Sequence, residues 1–478
     1  MKLVRSTTAV AAAAVLFLAG CADMGNIKPQ AQQMKATELN AGKAIAAASA
    51  DVQWPQEHWW EALHDEQLDK LVSAALADNP SLHVAQARVR QAAAQAGIAK
   101  AATLPTVDAS ASTNRSLYPA EGATPPPIAG SYAWLNTATI SASYDLDLWG
   151  RNRDALTAAL DQAPVASAEE QMARLTLATA VVRSYIQLSL EYALQDHVEE
   201  KLAQRQRLLD ITKRRRQAGL SSEIDVQNIE TTLPASRRQH EQIDETIALL
   251  RNQLAALIGK GPGDGESIAR PTLNLAKGEG QSVPREMPAE LVGHRPDIAA
   301  QRWRVESAAA GIGVAKAEFY PNINLSAFAG LQSFGFDHFL RSESMFRGVQ
   351  PAISLPIFDG GRLRSQLGAQ TAAYDGAVEQ YNATVIQAFS DVANAITRIN
   401  SVHEQEQLAQ RALATARRSQ ELAEKAYRAG LTDSVNVVHS NLTLLNEEEQ
   451  MTLVASRQLD NFATLMAALG GGMKLDLP

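Results

Sequence analysis

The sequence predicts a mixed α/β membrane protein that contains the same structural unit twice. Three observations predict this. Residues 79–112 lie on residues 295–328 without a gap. Four stretches alternate apolar and polar residues, as strands with one apolar face do. Two tracts of roughly 65 residues keep a helical character without a stop, far beyond an ordinary globular helix.

The ungapped match sets Pro80 on Pro296, Arg88 on Arg304, Ala92–Ala94 on Ala308–Ala310, Gly97 on Gly313, Lys100 on Lys316 and Pro105 on Pro321. Matched Pro, Gly and Lys positions are not a consequence of two Ala-rich helices sharing a composition. The repeat continues with Gly150-Arg151 on Gly361-Arg362 and Ala218-Gly219 on Ala429-Gly430, where the offset is five residues smaller. The first half therefore carries five extra residues between its strands, where Pro125, Pro126 and Pro127 sit.

Taken in order, Met1–Arg5 is a short basic segment and Ala9–Ala19 an apolar one too short to span a bilayer. Leu18-Ala19-Gly20-Cys21 then reads as a lipoprotein cleavage site. We expect residues 1–20 to be a signal peptide and Cys21, the only cysteine, to carry acyl chains. Ala22 follows Cys21, and Asp23 stands one place too late for the usual inner-membrane retention signal, so the outer membrane is the expected destination. Loss of Lys2 and Arg5 takes the formal charge from −8 to about −10. No basic concentration points to nucleic acid, and Lys213–Arg216 reads as a run that offsets a helix dipole.

Residues 21–64 form a lipidated arm in which Trp54, Trp59 and Trp60 are expected packing anchors. The first repeat occupies 65–260, with helices at about 80–102, 151–217 and 222–258 and strands at about 106–113 and 134–148. A Gly/Pro-rich linker covers 261–290. The second repeat occupies 291–469, with helices at about 297–318, 362–428 and 433–469 and strands at about 323–331 and 349–357. Residues 470–478 are a tail. At about 1.5 Å per residue each long tract spans roughly 100 Å. Both stop at Ala-Gly-Leu, which suits a left-handed helix end. Pro164 predicts a kink near the start of the first, and Pro234 a bend inside 222–258. The strands approach the 9–11 residues that cross a bilayer at a tilt, and only closed barrels satisfy every backbone group in lipid. Four strands cannot close a barrel, so strands that span a membrane require several chains to share one.

No catalytic chemistry is legible. The nine histidines form no HExxH pair, GKGPGDG lacks the Lys-Ser/Thr of a phosphate loop, and no GxSxG is present. The expectation is a non-enzyme without cofactor or metal. Asp145 and Asp147 read as lumen-facing or strand-end charges.

The chain resembles the outer membrane factors of bacterial efflux pumps, the TolC/OprM/NodT type. The resemblance rests on Trp59-Trp60, Asp65–Asp69, Asn79-Pro80-Ser81-Leu82, Arg295–Ile298, Gly313–Pro321, Leu355–Arg362 and the two Ala-Gly-Leu turns. It implies a homotrimer in which three chains of four strands share one outer-membrane β-barrel, continuous with a long periplasmic α-helical barrel. It implies loops outside the cell at about 114–132 and 332–348. The tips Ala218, Gly219, Leu220 and Ser221, and Ala429, Gly430, Leu431 and Thr432, would meet a periplasmic membrane fusion adaptor that connects to an inner-membrane pump of RND type. The resemblance also implies a gate just beyond the tips, drawn here from Asp225, Asn228, Asp433, Asn436 and His439. Asn436 and His439 stand where TolC-like relatives carry Asp, so the resemblance does not carry over an acidic constriction at its usual places, and His439 becomes a candidate pH-sensitive member. The implied function is passive conduction from adaptor and pump to the outside. Two alternatives remain open on the sequence: the channel of a type I protein secretion system, and a periplasmic coiled-coil scaffold lipoprotein.

Overall fold

The computed structural model describes residues 23–35, 56–273 and 295–472. The signal peptide, Cys21, Trp54, most of the 261–290 linker and residues 473–478 lie outside them. The elements in order are α1 (Glu66–Asp78), α2 (Pro80–Ala101), β1 (Thr106–Leu117), β2 (Tyr132–Asp145), α3 (Arg151–Gln217), α4 (Glu223–Glu230), α5 (Thr232–Leu257), α6 (Pro296–Ala317), β3 (Asn322–Phe334), β4 (Met345–Ser354), α7 (Arg362–Arg428) and α8 (Ser434–Ala468). The chain forms two compact units that do not follow the repeat boundary. One comprises residues up to 33, 89–166 and 301–381, the other 34–88, 167–300 and 382 onward.

The first unit holds one antiparallel sheet in the order β1-β2-β3-β4. The register gives Val107↔Ala142, Ala142↔Ala327 and Ala327↔Val349, a row of small and branched apolar residues across all four strands. Asp147 accepts the N–H groups of Asn152 (3.1 Å) and Arg153 (2.9 Å) and so starts α3. Asp359 does the same for α7 through Gly361 (3.0 Å) and Leu363 (2.9 Å). Ile312, Ala315 and Phe319 pack on Leu363 and Leu367. The N-terminal segment lies along α7: Asp23 pairs with Arg364 at 2.6 Å, and Asp375 accepts from the N–H groups of Gln30 and Ala31, each at 2.9 Å.

The second unit has the larger core. Trp59 and Trp60 are buried there with Leu68, Val72, Val181, Tyr185, Leu254 and Phe462. Asp65, 2 % exposed, caps α1 by accepting from Gln67 (2.9 Å) and Leu68 (3.0 Å). The same carboxylate accepts from the Tyr185 hydroxyl (2.9 Å) and from the N–H (3.1 Å) and hydroxyl (2.8 Å) of Thr272. Arg295 reaches Asp297 (2.8 Å), Asp391 (3.1 Å) and the Ala468 carbonyl (3.1 Å), tying the start of α6 to α7 and to the end of α8.

Several limits differ from those expected. β1 continues four residues past 113 to Leu117, and β3 three past 331 to Phe334, because ladder bonds persist where alternation fades. β2 stops at Asp145 rather than 148: Leu146 still donates to Ile323 (2.9 Å), then the chain turns into α3. β4 begins at Met345 and ends at Ser354, before Leu355-Pro356, instead of spanning 349–357. The helix expected over 222–258 is two helices that meet at Thr231. Pro234 lies in the first turn of α5, where a missing N–H leaves no bond broken, so the interruption falls one turn before it. α3 runs through Pro164 without ending. Part of the expected linker is ordered: Pro262–Gly265 makes one helical turn and Ile268 is buried.

Candidate functional site

In the first unit the feature of interest is the sheet. Residues with odd numbers on β1, β3 and β4 and with even numbers on β2 share one face. On it Val107, Ile140, Leu325, Val349 and Ile353 are exposed, Val107 and Val349 each at 69 %. An exposed apolar sheet face of this extent is costly in water and favourable against lipid. The opposite face carries Thr106, Ser143, Ser326 and Gln350 in one row, and Asp145 beside Asn324 (2.8 Å) and Arg151 (3.4 Å) in the next. Two departures have local reasons. Asn136 falls on the apolar face but is buried and satisfied by Thr113 (2.7 Å) and the Gly335 carbonyl (2.9 Å). Phe328 falls on the polar face over Gly348, where a Cβ would come within 2.7 Å of its ring.

Aromatic side chains gather at both ends of the strands. At one end Trp134 lies 5.9 Å from Phe336, and Arg115 sits over Tyr132 (5.5 Å) and Trp134 (5.9 Å). At the other Trp149 stacks on Tyr320 at 4.6 Å and donates to the Pro321 carbonyl at 2.9 Å. Two aromatic bands flanking an apolar belt are what the two interfaces of a bilayer favour. Among the described residues no helix is long and apolar enough to cross a membrane.

In the second unit the two tips have the same backbone geometry. At the first, Gly219 (φ 76°) donates to Arg216 at 2.9 Å and Leu220 to Arg215 at 2.8 Å. At the second, Gly430 (φ 70°) donates to Tyr427 at 3.0 Å and Leu431 to Ala426 at 2.9 Å. This is the glycine-terminated helix end that satisfies the last carbonyls. It leaves Leu220 69 % and Leu431 82 % exposed.

Beyond the first tip Ser222 caps α4 in a reciprocal box with Asp225, and Ser221 also donates to Asp225 at 2.9 Å. These donors, led by Ser222, hold the Asp225 carboxyl below its ordinary range. Beyond the second tip Asp433 caps α8 through Asn436 (3.1 Å), and the Asn436 side chain donates to Thr432 at 2.8 Å. The Asn436 N–H, and after it the Arg215 guanidinium, lower the Asp433 carboxyl. Asn228, Asn436 and His439 are exposed.

Arg215 and Asp433 form an ion pair that joins the end of α3 to the start of α8. Sequence reasoning missed this pair. Of the run read as dipole compensation, Lys213 meets Glu230 at 3.3 Å, Arg216 meets Glu223, and Arg215 meets Asp433. Specific partners, rather than the dipole alone, occupy it. The only signal in the sequence was the placement of acids at both helix starts. No group of His, Cys, Asp and Glu suited to a metal occurs among the described residues.

Comparison with known proteins matches residues 71–260 and 287–471 to the family described as outer membrane efflux protein. The fusaric acid resistance protein FusA of Burkholderia cepacia is 45 % identical over 374 residues, covering 77 % of this chain and 70 % of its own. The multidrug resistance outer membrane protein MdtP of Escherichia coli K12 is 31 % identical over 468 residues, covering 95 % and 94 %. The crystal structure of the outer membrane protein VceC from Vibrio cholerae superposes with a TM-score of 0.80 at 35 % identity, covering 88 % of this chain and 100 % of that one.

Proposed function

The chain belongs to the outer membrane efflux protein family, and from that premise we propose how its own residues carry out the family's task. It is an outer membrane channel of a tripartite efflux system, and its fold joins the strands of a β-barrel shared between three chains to a helical barrel. The observation that carries this reading is a four-stranded sheet with an exposed apolar face, aromatic residues at both ends and two open edges. Three such sheets supply twelve strands, and each polar face then lines the lumen. Conduction is passive, and an inner-membrane pump of RND type supplies the energy through a periplasmic adaptor. Asp23, two positions after Cys21 in the sequence, pairs with Arg364 in the first turn of α7, and acyl chains on Cys21 would anchor the chain to the outer membrane. The names of FusA and MdtP, which refer to fusaric acid and to multidrug resistance, favour small organic molecules as cargo over a secreted protein. A strain lacking this protein should lose resistance to small aromatic acids or drugs while its secreted proteins are unchanged. The reverse pattern would favour type I secretion.

Ala218–Ser221 and Ala429–Thr432 are the proposed adaptor contacts, with Leu220 and Leu431 as apolar anchors. The gate is placed at Asp225, Asn228, Asp433, Asn436 and His439, with the Arg215–Asp433 pair as its latch within each chain. The two side chains are 36 % and 43 % exposed, so the pair contributes up to about 1 kcal/mol. Asp433→Asn keeps an N-cap residue and removes the charge. Its expected effect is a rise in bilayer conductance or open time of up to about 5-fold per latch, and unchanged conductance would remove the pair from the gate. The carboxyl is depressed in the folded protein, so the latch is present above the ordinary carboxylate range. It is lost only as pH falls through the lower folded value. Acidification to pH 5 should therefore leave it closed. A response of conductance to pH between about 5 and 8 that His439→Gln abolishes would support His439 as a member of the gate. Persistence of the wild-type profile in that variant would exclude His439.

A further inference from the structure

The internal repeat fixes how one sheet meets the next. β1 maps onto β3 as Pro105 maps onto Pro321, and β2 maps onto β4 as Arg151 maps onto Arg362. Under these two shifts the pair Thr106↔Ser143 becomes Asn322↔Ser354, which is the register observed for β3 and β4. The two hairpins thus superpose pair for pair. In a barrel of such hairpins, the seam between β4 and the β1 of a second copy is the counterpart of the seam between β2 and β3.

From this we infer the register of the seam between chains, an inference that rests on the shared-barrel reading above. Ser141↔Phe328 transfers to Ala352 opposite Ser112 of a second copy of this chain. Ala142↔Ala327 and Ala138↔Leu331 transfer to Ile353 opposite Ala111 and Val349 opposite Arg115.

Two further observations agree with it. The first is hydrogen-bond alternation. Leu146 donates to Ile323 (2.9 Å) and Gly335 to Trp134 (2.8 Å), so even residues of β2 bond odd residues of β3. Tyr118 donates to Ser131 at 3.0 Å, so even residues of β1 face β2. Antiparallel ladders alternate, which leaves the odd residues of both β1 and β4 with backbone groups pointing out of the sheet. The inferred seam pairs odd with odd. Pro351, which has no N–H to offer, is one of those outward residues; it breaks no bond within the chain, and in the inferred seam it leaves one ladder bond, opposite Thr113 of the second copy, unmade.

The second observation is the apolar face. The register keeps odd residues of both strands on the apolar side. Carried past Ser354, it sets Ile357, 86 % exposed in the single chain, opposite Val107 at 69 %. A shift of two residues either way would preserve alternation and face alike, and only the repeat selects among the three.

Disulfide trapping distinguishes them. Cys21 is the only native cysteine. Ala352 and Ser112 would form a non-hydrogen-bonded pair with Cα atoms about 4.5 Å apart, inside the range a disulfide bridges. Residues one step along the diagonal lie about 7–8 Å away. The full-length lipoprotein carrying Ser112→Cys with Ala352→Cys is oxidised in outer membranes and run on a denaturing, non-reducing gel. Ser110→Cys with Ala352→Cys and Asn114→Cys with Ala352→Cys serve as the shifted registers. The expected result is a covalent ladder ending at three chains for the first variant, with at least about 5-fold less in the other two, since their Cα atoms exceed the bridging range. Greater cross-linking in either shifted pair would overturn the register while leaving the shared barrel in place. No cross-link in any pair, from a particle of three chains by native mass, would show that these edges do not meet. A native mass of one chain would instead remove the shared-barrel reading on which the register depends.

Discussion

Asp65→Ala is expected to destabilise the helical unit by about 3–5 kcal/mol, from one lost cap and buried donors left without an acceptor. The carboxylate serves three segments at once: the first turn of α1, the Tyr185 hydroxyl from α3 and the Thr272 backbone and hydroxyl from the chain between the repeats. Burial, and next the bond to Asp65, push the Tyr185 phenol above its ordinary range, so it remains a donor at any physiological pH. Without Asp65 that hydroxyl and the Leu68 and Thr272 N–H groups must find water in a site that is almost closed. Asp65→Asn keeps one acceptor oxygen and should fall between wild type and Asp65→Ala. Thermal unfolding with limited proteolysis provides the check: Asp65→Ala should unfold earlier and expose cleavage sites around α1 and Thr272. A wild-type melting profile would mean that the core around Trp59 and Trp60 holds these segments without the carboxylate.

The second large effect concerns function rather than stability. Leu220→Asp combined with Leu431→Asp should abolish efflux in cells and leave folding unchanged, because both side chains are exposed in the single chain. Burying a leucine against a partner contributes about 2 kcal/mol, so loss of one costs roughly 30-fold in affinity and loss of both far more. Susceptibility of the variant strain should approach that of a deletion strain. The isolated channel should still insert in bilayers with the wild-type amount of protein in the outer membrane. Retained resistance would place adaptor docking away from these tips. Gly219 and Gly430 set how the leucines are presented. No neighbour obstructs a Cβ at either position, so a substitution there strains only the left-handed backbone, at about 1–2 kcal/mol.

How much could be read from the sequence follows from how local each determinant is. The sequence limits 151–217 and 362–428 coincide with α3 and α7 because both ends are set by adjacent residues: Asp147 and Asp359 at the starts, Gly219 and Gly430 at the stops. Strand ends were harder. Thr113–Leu117 has little alternation, and its strand character comes from pairing with residues 132–136. The break at Thr231 is not legible from Pro234 alone, because a proline marks a helix start as readily as a bend. The Asp65 contacts were not legible, since Thr272 lies 207 residues further along the chain. The Arg215–Asp433 pair, 218 residues apart, was hidden for the same reason.

The central claim is that four strands per chain become a membrane barrel only by sharing. Its most direct test is the native mass of the full-length protein extracted from outer membranes in detergent, with bound lipid and detergent subtracted. The account predicts three chains per particle, about three times the 51.4 kDa computed for the full sequence less the signal peptide. A stable particle of one chain would contradict it, since a four-stranded sheet with two open edges cannot cross a bilayer alone.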